Sequence, residues 1–484
     1  MTDDAAPTPQ HVDVLVVGAG ISGISAGWHL QTRCPDRSYL ILEARDAIGG
    51  TWDLFRYPGV RSDSDMHTLG FSFRPWTGDA AIADGAAIRA YVQDTAKAFG
   101  IDRHIRFGVR VVSAAWSSEA ALWTVETEGA GRITCAFLDL CSGYYDYAAG
   151  YAPEFAGSDM FAGPIVHPQF WPADLDLTGK HVAVIGSGAT AVTLVPALAR
   201  TAASVTMVQR SPSYVVAQPA RDRAGDWLRR RMGSGAAYKL TRGKNILLSM
   251  LFFQASRRWP ERVARRMIGM VQASLGADYD TATHFTPRYK PWDQRVCLTP
   301  DGDFFAAIRS GRAAVETGAI DRFEAHGIRM ASGALVPADV IVTATGLSVQ
   351  IAGGMTFTLD GRPVDVAGRL QYRGMMFEGL PNLAFTFGYT NASWTLKADL
   401  TALYLCRLLN RMKRGNARLV VPVNDDAGMA TEPFLPFSSG YIQRVAATLP
   451  VQGARRPWRL YQNYLLDVVA LRLGSLRRGM RFIS

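Results

Sequence analysis

A chain of 484 residues with 48% hydrophobic and 19% charged side chains is too long for one core and too apolar for a disordered polymer. Its net charge of +10 is concentrated: residues 221–270 hold thirteen Lys/Arg against three Asp/Glu, an excess equal to that of the whole chain. Cys34, Cys135, Cys141, Cys297 and Cys406 form no CxxC pair, so a CxxC zinc site or redox pair is excluded and reduced thiols in the cytosol are expected.

The start, MTDDAAPTPQ, is acidic and polar, unlike a secretory signal. It is followed by HVDVLVVGAGISGISAGWHL, an apolar run of strand character, then Gly18, Gly20 and Gly23 in a GxGxxG turn, then a helical pattern. That order is far more specific than the glycines alone: the turn lets backbone N–H groups approach a pyrophosphate, and the helix N-terminus offers partial positive charge. Twenty residues beyond Gly23, SYLILE ends in Glu43, an acid placed to accept ribose hydroxyls and to repel a 2′-phosphate. The unit suits FAD.

Next, FAGPIVHPQFWPAD (161–174) carries His167 among three prolines, which bar a regular helix, and the stretch does not fit an ordinary strand either. A base, a metal ligand and a stiff connector are all open for His167 at this point. The dinucleotide pattern then recurs in KHVAVIGSGATAVTLVPAL, with Gly186, Gly188 and Ala191 in the three places and Thr190 at the helix start. The following strand, SVTMVQRS, ends in Gln209-Arg210 with no acid. Arg210 either pairs with a 2′-phosphate or is a plain surface charge; the first favours NADPH. Two nucleotide units without a nearby cysteine pair exclude a disulfide reductase and leave dioxygen or a small molecule to take the electrons.

The basic segment 221–270 interleaves its arginines with Leu, Phe, Trp and Met, and so does the tail 455–482. A nucleic-acid surface is disfavoured by that interleaving. A solvated helical face over a core is one reading, and a peripheral contact with an anionic membrane surface is the other. The longest apolar run, NILLSMLFFQA (245–255), is well short of the roughly 20 residues that a span requires. No His/Cys/Asp grouping has metal-ligand spacing, so no metal is expected.

Phe161, Gly163, His167, Trp171 and Pro172 match the FxGxxxHxxxWP fingerprint of the Baeyer–Villiger monooxygenases, class B flavoprotein monooxygenases. GGTW (49–52), YPGVRSD (57–63), LCSGYY (140–145) and TATG (343–346) also resemble that family, from about residue 11 to the C-terminal region. The resemblance implies an α/β chain with two Rossmann-like domains, the NADP domain inserted in the FAD domain. FAD elements are expected at 1–148 and 380–484, NADP elements at 149–222 and 295–379, and a helical insertion at 223–294. It further implies FAD and NADPH as cofactors, with O2 and a small apolar ketone or sulfur compound as substrates. The activity implied is formation of a flavin C4a-peroxide that inserts one oxygen into ketones, giving esters or lactones, with sulfoxidation beside it. A mainly S- or N-oxygenating enzyme is the alternative, and a flavoprotein NADPH oxidase that binds a partner or membrane is a third reading.

By motif position, Arg295 in PWDQR matches the family's active-site arginine and Asp63 the acid that accompanies it. A guanidinium stays charged at every relevant pH, which suits it to holding an anion in place. The plainer readings are a domain-interface ion pair for Arg295, with Asp63 or Asp293, and a loop cap for Asp63. Gly50, Thr51 and Trp52 are expected at the first cofactor and Thr190 at the second. Trp394 is a candidate for the border of a substrate pocket. The connector then reads as a hinge with His167 as its hydrogen-bonded anchor.

Overall fold

The computed structural model of the protein describes residues 10–435 and 437–484; the polar start over residues 1–9 lies outside the described residues. Two Rossmann-like sheets carry the fold. The first is built on the strand Gln10–Val17, which pairs in parallel with Tyr39–Leu42 and Gly131–Leu140. Val14, Leu15 and Val16 are fully buried, as expected of a strand covered by elements on both faces. Gly131–Leu140 also closes an antiparallel meander through Leu122–Thr127 to Val111–Ser117, and its end pairs with Leu383–Phe385. The second sheet is wholly parallel, in the order Ala313–Thr317, Ser204–Gln209, His181–Ile185, Val340–Thr343, Ile165–Val166.

Two strands connect the domains. Tyr145–Gly150 leaves the first sheet, Leu347–Val349 returns to it, and the two pair antiparallel as a short ribbon. The return comes earlier than the expected boundary at 380. Thr356–Leu359 hydrogen-bonds beside Val111–Ser117 in the first sheet, and Leu370, Tyr372, Met375 and Met376 lie in that domain's core. Residues from about 347 therefore belong with the first domain, not with the second as 295–379 implied. Nothing in the local alternation of TFTL or RPV says which sheet edge the hairpin will join, because edge pairing is a long-range choice.

The insertion leaves after Val215–Gln218 and rejoins at Cys297–Pro300, two strands that pair with each other. Between them stand the helices Arg223–Arg231, Ser234–Arg258, Pro260–Leu275 and Thr281–His284. The insertion spans both domains. Val271 of the third helix is buried in the core of the second domain. The second helix reaches the first domain instead, where the buried Arg242 donates to the carbonyls of His67 (2.8 Å), Thr68 (3.2 Å) and Gly70 (2.7 Å). Tyr238, one turn earlier, donates to the Phe71 carbonyl at 3.0 Å.

Candidate functional site

Both glycine turns form at the carboxyl ends of their strands, the usual place for a ligand in such sheets. Gly18 has φ +105°, and a Cβ there would lie 2.6 Å from the Cys141 carbonyl oxygen. A Cβ on Gly23 would strike the Gly18 oxygen at 1.9 Å, so only glycine lets helix Ile21–Arg33 approach this closely. Gly20 caps that helix with no side-chain hydrogen bond, which leaves the first-turn N–H groups for a ligand. Opposite it, Gly50 (φ +55°) packs so closely that its Cβ would sit 3.1 Å from the Gly20 Cα.

Glu43 is buried directly after Tyr39–Leu42. Its Oε2 accepts from Ala19 N–H at 2.7 Å and its Oε1 from Arg45 N–H at 3.0 Å. Burial pushes its carboxyl up, against the pull of those two donors. The acid thus braces the turn and still lines the cavity beside it. Nearby, Asp53 is ringed by Arg45 (2.7 Å), Arg56 (2.8 Å) and Arg89 (3.3 Å). Burial raises its carboxyl, but the arginines outweigh this and hold it below the usual carboxylate range. The helical turn Thr51–Leu54 is pinned by that cluster.

In the second unit Gly186 has φ +139°, and a Cβ would lie 2.3 Å from the Ala344 oxygen. Gly188, by contrast, has nothing within 4 Å of where a Cβ would be, and caps helix Ala189–Leu198 without a side-chain hydrogen bond. Ala191 is fully buried against the sheet. Arg210 is exposed just beyond Ser204–Gln209 and makes no ion pair among the described residues. In the place corresponding to Glu43, Gln209 is buried and donates to the His284 carbonyl and to Thr317.

A cavity of about 580 Å³ joins the two units. Its wall includes Gly18, Gly20, Glu43, Gly50, Thr51 and Trp52 on one side, Thr190 on the other, and Asp63, Arg295 and Trp394 between them. Gly23, Gly186, Gly188, Ala191 and Arg210 are not on this wall; the first two and Ala191 set helix–strand packing. Arg295 donates from Nη1 to Asp63 Oδ2 at 2.6 Å, while Asp293 pairs with Arg257 at 2.9 Å. Asp63 raises Arg295 well above the usual guanidinium value and outweighs its burial. Over a third of each side chain (37% and 35%) stays open, toward the cavity both line. The residues present fit a dinucleotide on each glycine turn: two uncapped helix N-termini, a ribose-side acid on one only, and a shared chamber.

The sequence motifs did not by themselves single out Tyr144 and Tyr145. Their hydroxyls meet at 2.5 Å in the cavity wall, Tyr144 stacks on Trp394 at 5.2 Å, and burial pushes the Tyr144 phenol up to about 12. Their signal was position: they follow a strand end beside the first glycine turn. Also unexpected is Arg61, which pairs with Asp303 at 2.5 Å and ties the YPGVRSD loop to the second domain.

The fingerprint residues lie away from the cavity. Ile165–Val166 is the edge strand of the second sheet, although the prolines argued against an ordinary strand; the two β-branched residues between Pro164 and His167 pair with Ile341 and Val342. A 3₁₀ turn, Pro168–Phe170, follows. Phe161 is buried near Phe323, Trp171 packs on the second core, and Pro172 is exposed. A Cβ on Gly163 would fall 2.0 Å from the Asp339 oxygen. His167 Nε2 lies 3.2 Å from the Gly346 carbonyl and Nδ1 accepts from Gln169 N–H at 3.2 Å, a pattern that requires the Nε2–H tautomer. Burial lowers its pKa and favours that neutral ring. Gly346 also accepts from Tyr151 N–H, so one carbonyl ties both linkers to His167.

A sequence profile described as flavin-binding monooxygenase-like matches residues 12–226. The FAD-containing monooxygenase EthA of Mycobacterium tuberculosis is 54% identical over 478 residues, 98% of each chain. Among solved structures, an oxidized steroid monooxygenase bound to NADP superposes with a TM-score of 0.78 at 22% identity, covering 98% of this chain and 100% of that one. A cyclohexanone monooxygenase from Rhodococcus sp. Phi1 bound to NADP+ gives 0.72 at 22% identity, covering 99% and 100%. With identity that low the structures speak for the fold, and EthA speaks for the family. This chain belongs to the flavin-binding, FAD-containing monooxygenases that include EthA, and it has the two-nucleotide fold of the Baeyer–Villiger monooxygenases.

Proposed function

We propose that the protein is an NADPH- and O2-dependent monooxygenase that inserts one oxygen atom into small apolar ketones, giving esters or lactones, and that also oxygenates thioether sulfur. The observation that supports this most is the Arg295–Asp63 pair inside a chamber lined by the first glycine turn and by Thr190 at the start of the second unit's helix. FAD on the first turn, reduced by NADPH on the second, would supply the electrons that activate dioxygen; one oxygen atom goes to substrate and the other leaves as water.

The chain's part is binding, charge and exclusion of water. Gly20 and Gly188 would receive the pyrophosphates on their helix N-termini, and Glu43 the ribose hydroxyls of FAD. Arg295 presents a permanent positive charge to the chamber, and Asp63 fixes the direction of its donors. Tyr144, Tyr145 and Trp394 form an aromatic wall that limits water and suits an apolar substrate. None of these groups is required as a nucleophile.

The test is a product screen with FAD-loaded protein, NADPH, ketones of graded chain length and a thioether. Ester from at least one ketone is expected. Sulfoxide without ester would replace ketone insertion by the S- or N-oxygenating reading. Hydrogen peroxide equal to NADPH consumed, with no oxygenated product from any compound, would overturn both in favour of an oxidase.

A further inference from the structure

The helix Ser234–Arg258 is apolar on two faces. Inward, Ile246 packs with Tyr389 and Leu396, and Phe253 meets the Trp292 ring edge-on at 5.6 Å. Outward, Leu240, Leu247, Leu248 and Leu251 are 52%, 51%, 55% and 56% exposed. A row of leucines on a helix is normally covered by a neighbouring element. This helix has a covered half and an open half.

The C-terminal segment beside it repeats the arrangement. Tyr464 joins the cluster of Ile246 and Leu396, and a narrow cleft lined by Met250, Asn463 and Tyr464 separates the two elements. The helix beginning there runs through Tyr464–Val468 into a π-turn, Val469–Leu473. Leu465, Val469 and Leu473 recur at four-residue intervals and are 52%, 54% and 77% exposed. Two adjacent segments thus each leave a row of long aliphatic side chains without cover.

The charge around the rows is mostly positive, with Glu261 the exposed acid among the arginines. Arg230, Arg231, Arg258, Arg262, Arg265 and Arg266 are exposed, and none of them has a carboxylate within 4 Å among the described residues. Trp227 and Trp259, both 51% exposed, stand in the neighbouring helix and at the end of the long one. Leucines for an apolar layer, tryptophans for its boundary and unpaired arginines for anionic headgroups are the chemistry of a helix lying in a membrane interface. A second copy of this chain would bring the same positive excess to the contact and be repelled. No helix among the described residues is long and apolar enough to cross a membrane, so a contact in the plane of the surface is the geometry that remains.

We propose that this face is a docking surface for an anionic lipid bilayer. Ala392 lines both the narrow cleft on the inner side of the docked helix and the large cavity, so docking brings the oxygenation chamber near the lipid and favours substrates that partition into it. The last step rests on the proposed function; the docking does not.

The test is co-sedimentation of the FAD-loaded protein with vesicles of phosphatidylglycerol and phosphatidylcholine in equal parts, against phosphatidylcholine alone. Binding to the anionic vesicles is expected, falling about tenfold or more in raised salt. Leu247→Ser with Leu251→Ser, and separately Arg258→Gln with Arg262→Gln and Arg265→Gln, should each lose about tenfold or more of that binding. NADPH consumption with a water-soluble ketone should stay unchanged in both variants, which separates a docking defect from misfolding or a wrong reaction. Equal affinity for neutral vesicles, undiminished binding by the leucine variant, or a dimer that the leucine substitutions dissolve would each overturn the proposal.

Discussion

Arg295 and Asp63 lie 232 residues apart in the chain and meet at 2.6 Å in the cavity. One comes from the segment that closes the helical insertion, the other from the loop after the first glycine-rich unit. The ion pair is therefore assembled only when the two domains are docked, and Arg61–Asp303, from the same loop, holds that docking close by.

Arg295→Ala should leave NADPH able to reduce the flavin while product formation falls about 100-fold or more, the scale seen when one charge-stabilising donor is removed. Stopped-flow reduction alongside product yield per NADPH separates the two half-reactions. Unchanged product yield would show that the pair is only a domain-interface contact.

His167→Ala removes the side chain that binds the shared Gly346 carbonyl. It should lower kcat about tenfold while the purified protein keeps its full FAD content, because the linkers and not the first glycine turn lose support. Gly150→Ala should act alike, since its Cβ would fall 2.1 Å from the His167 ring. Loss of flavin in His167→Ala would reassign the residue to folding.

Arg210→Gln tests the second unit. The KM for NADPH should rise about 10- to 100-fold with little change for NADH, as expected when a charge-assisted contact to the 2′-phosphate is lost. An equal effect on both cofactors would place Arg210 among ordinary surface charges.

Asp139 is almost wholly buried at the end of Gly131–Leu140, its Oδ1 has no hydrogen-bond partner, and burial pushes its carboxyl up to about 7. The unfolded value is near 3.9, so between about pH 4 and 7 the folded state holds a proton that the unfolded state releases. Stability should fall as pH rises through that window, by up to about 1.4 kcal/mol per unit from this group. Urea midpoints at several pH values should show a flatter profile in Asp139→Asn; an identical profile would remove Asp139 from the account.

The glycine turns and Glu43 were legible because each residue answers to a local backbone demand, and the Gly18 and Gly23 clashes show that demand directly. Arg295 and Asp63 were legible only through resemblance, since no local pattern joins residues so far apart. Tyr144 and Tyr145 escaped because paired aromatics after a strand read equally well as core. The fingerprint supplied an edge strand where its prolines suggested none, and the hairpin Thr356–Leu359 joined the other sheet. Both outcomes depend on which edge is free in the folded chain. The two-sided apolar helix Ser234–Arg258 was visible as a basic amphipathic segment, but its uncovered half required the packing.

Reducing equivalents from NADPH should end in oxygen transfer within the chamber that holds Arg295 and Asp63. The most direct measurement is turnover of a cyclic ketone under ¹⁸O2, with NADPH, product and hydrogen peroxide counted together. One ¹⁸O atom in the ring of the lactone is expected, with product matching the NADPH consumed and loss of that label in Arg295→Ala. Unlabelled product, or peroxide accounting for all the NADPH, would contradict oxygen transfer there.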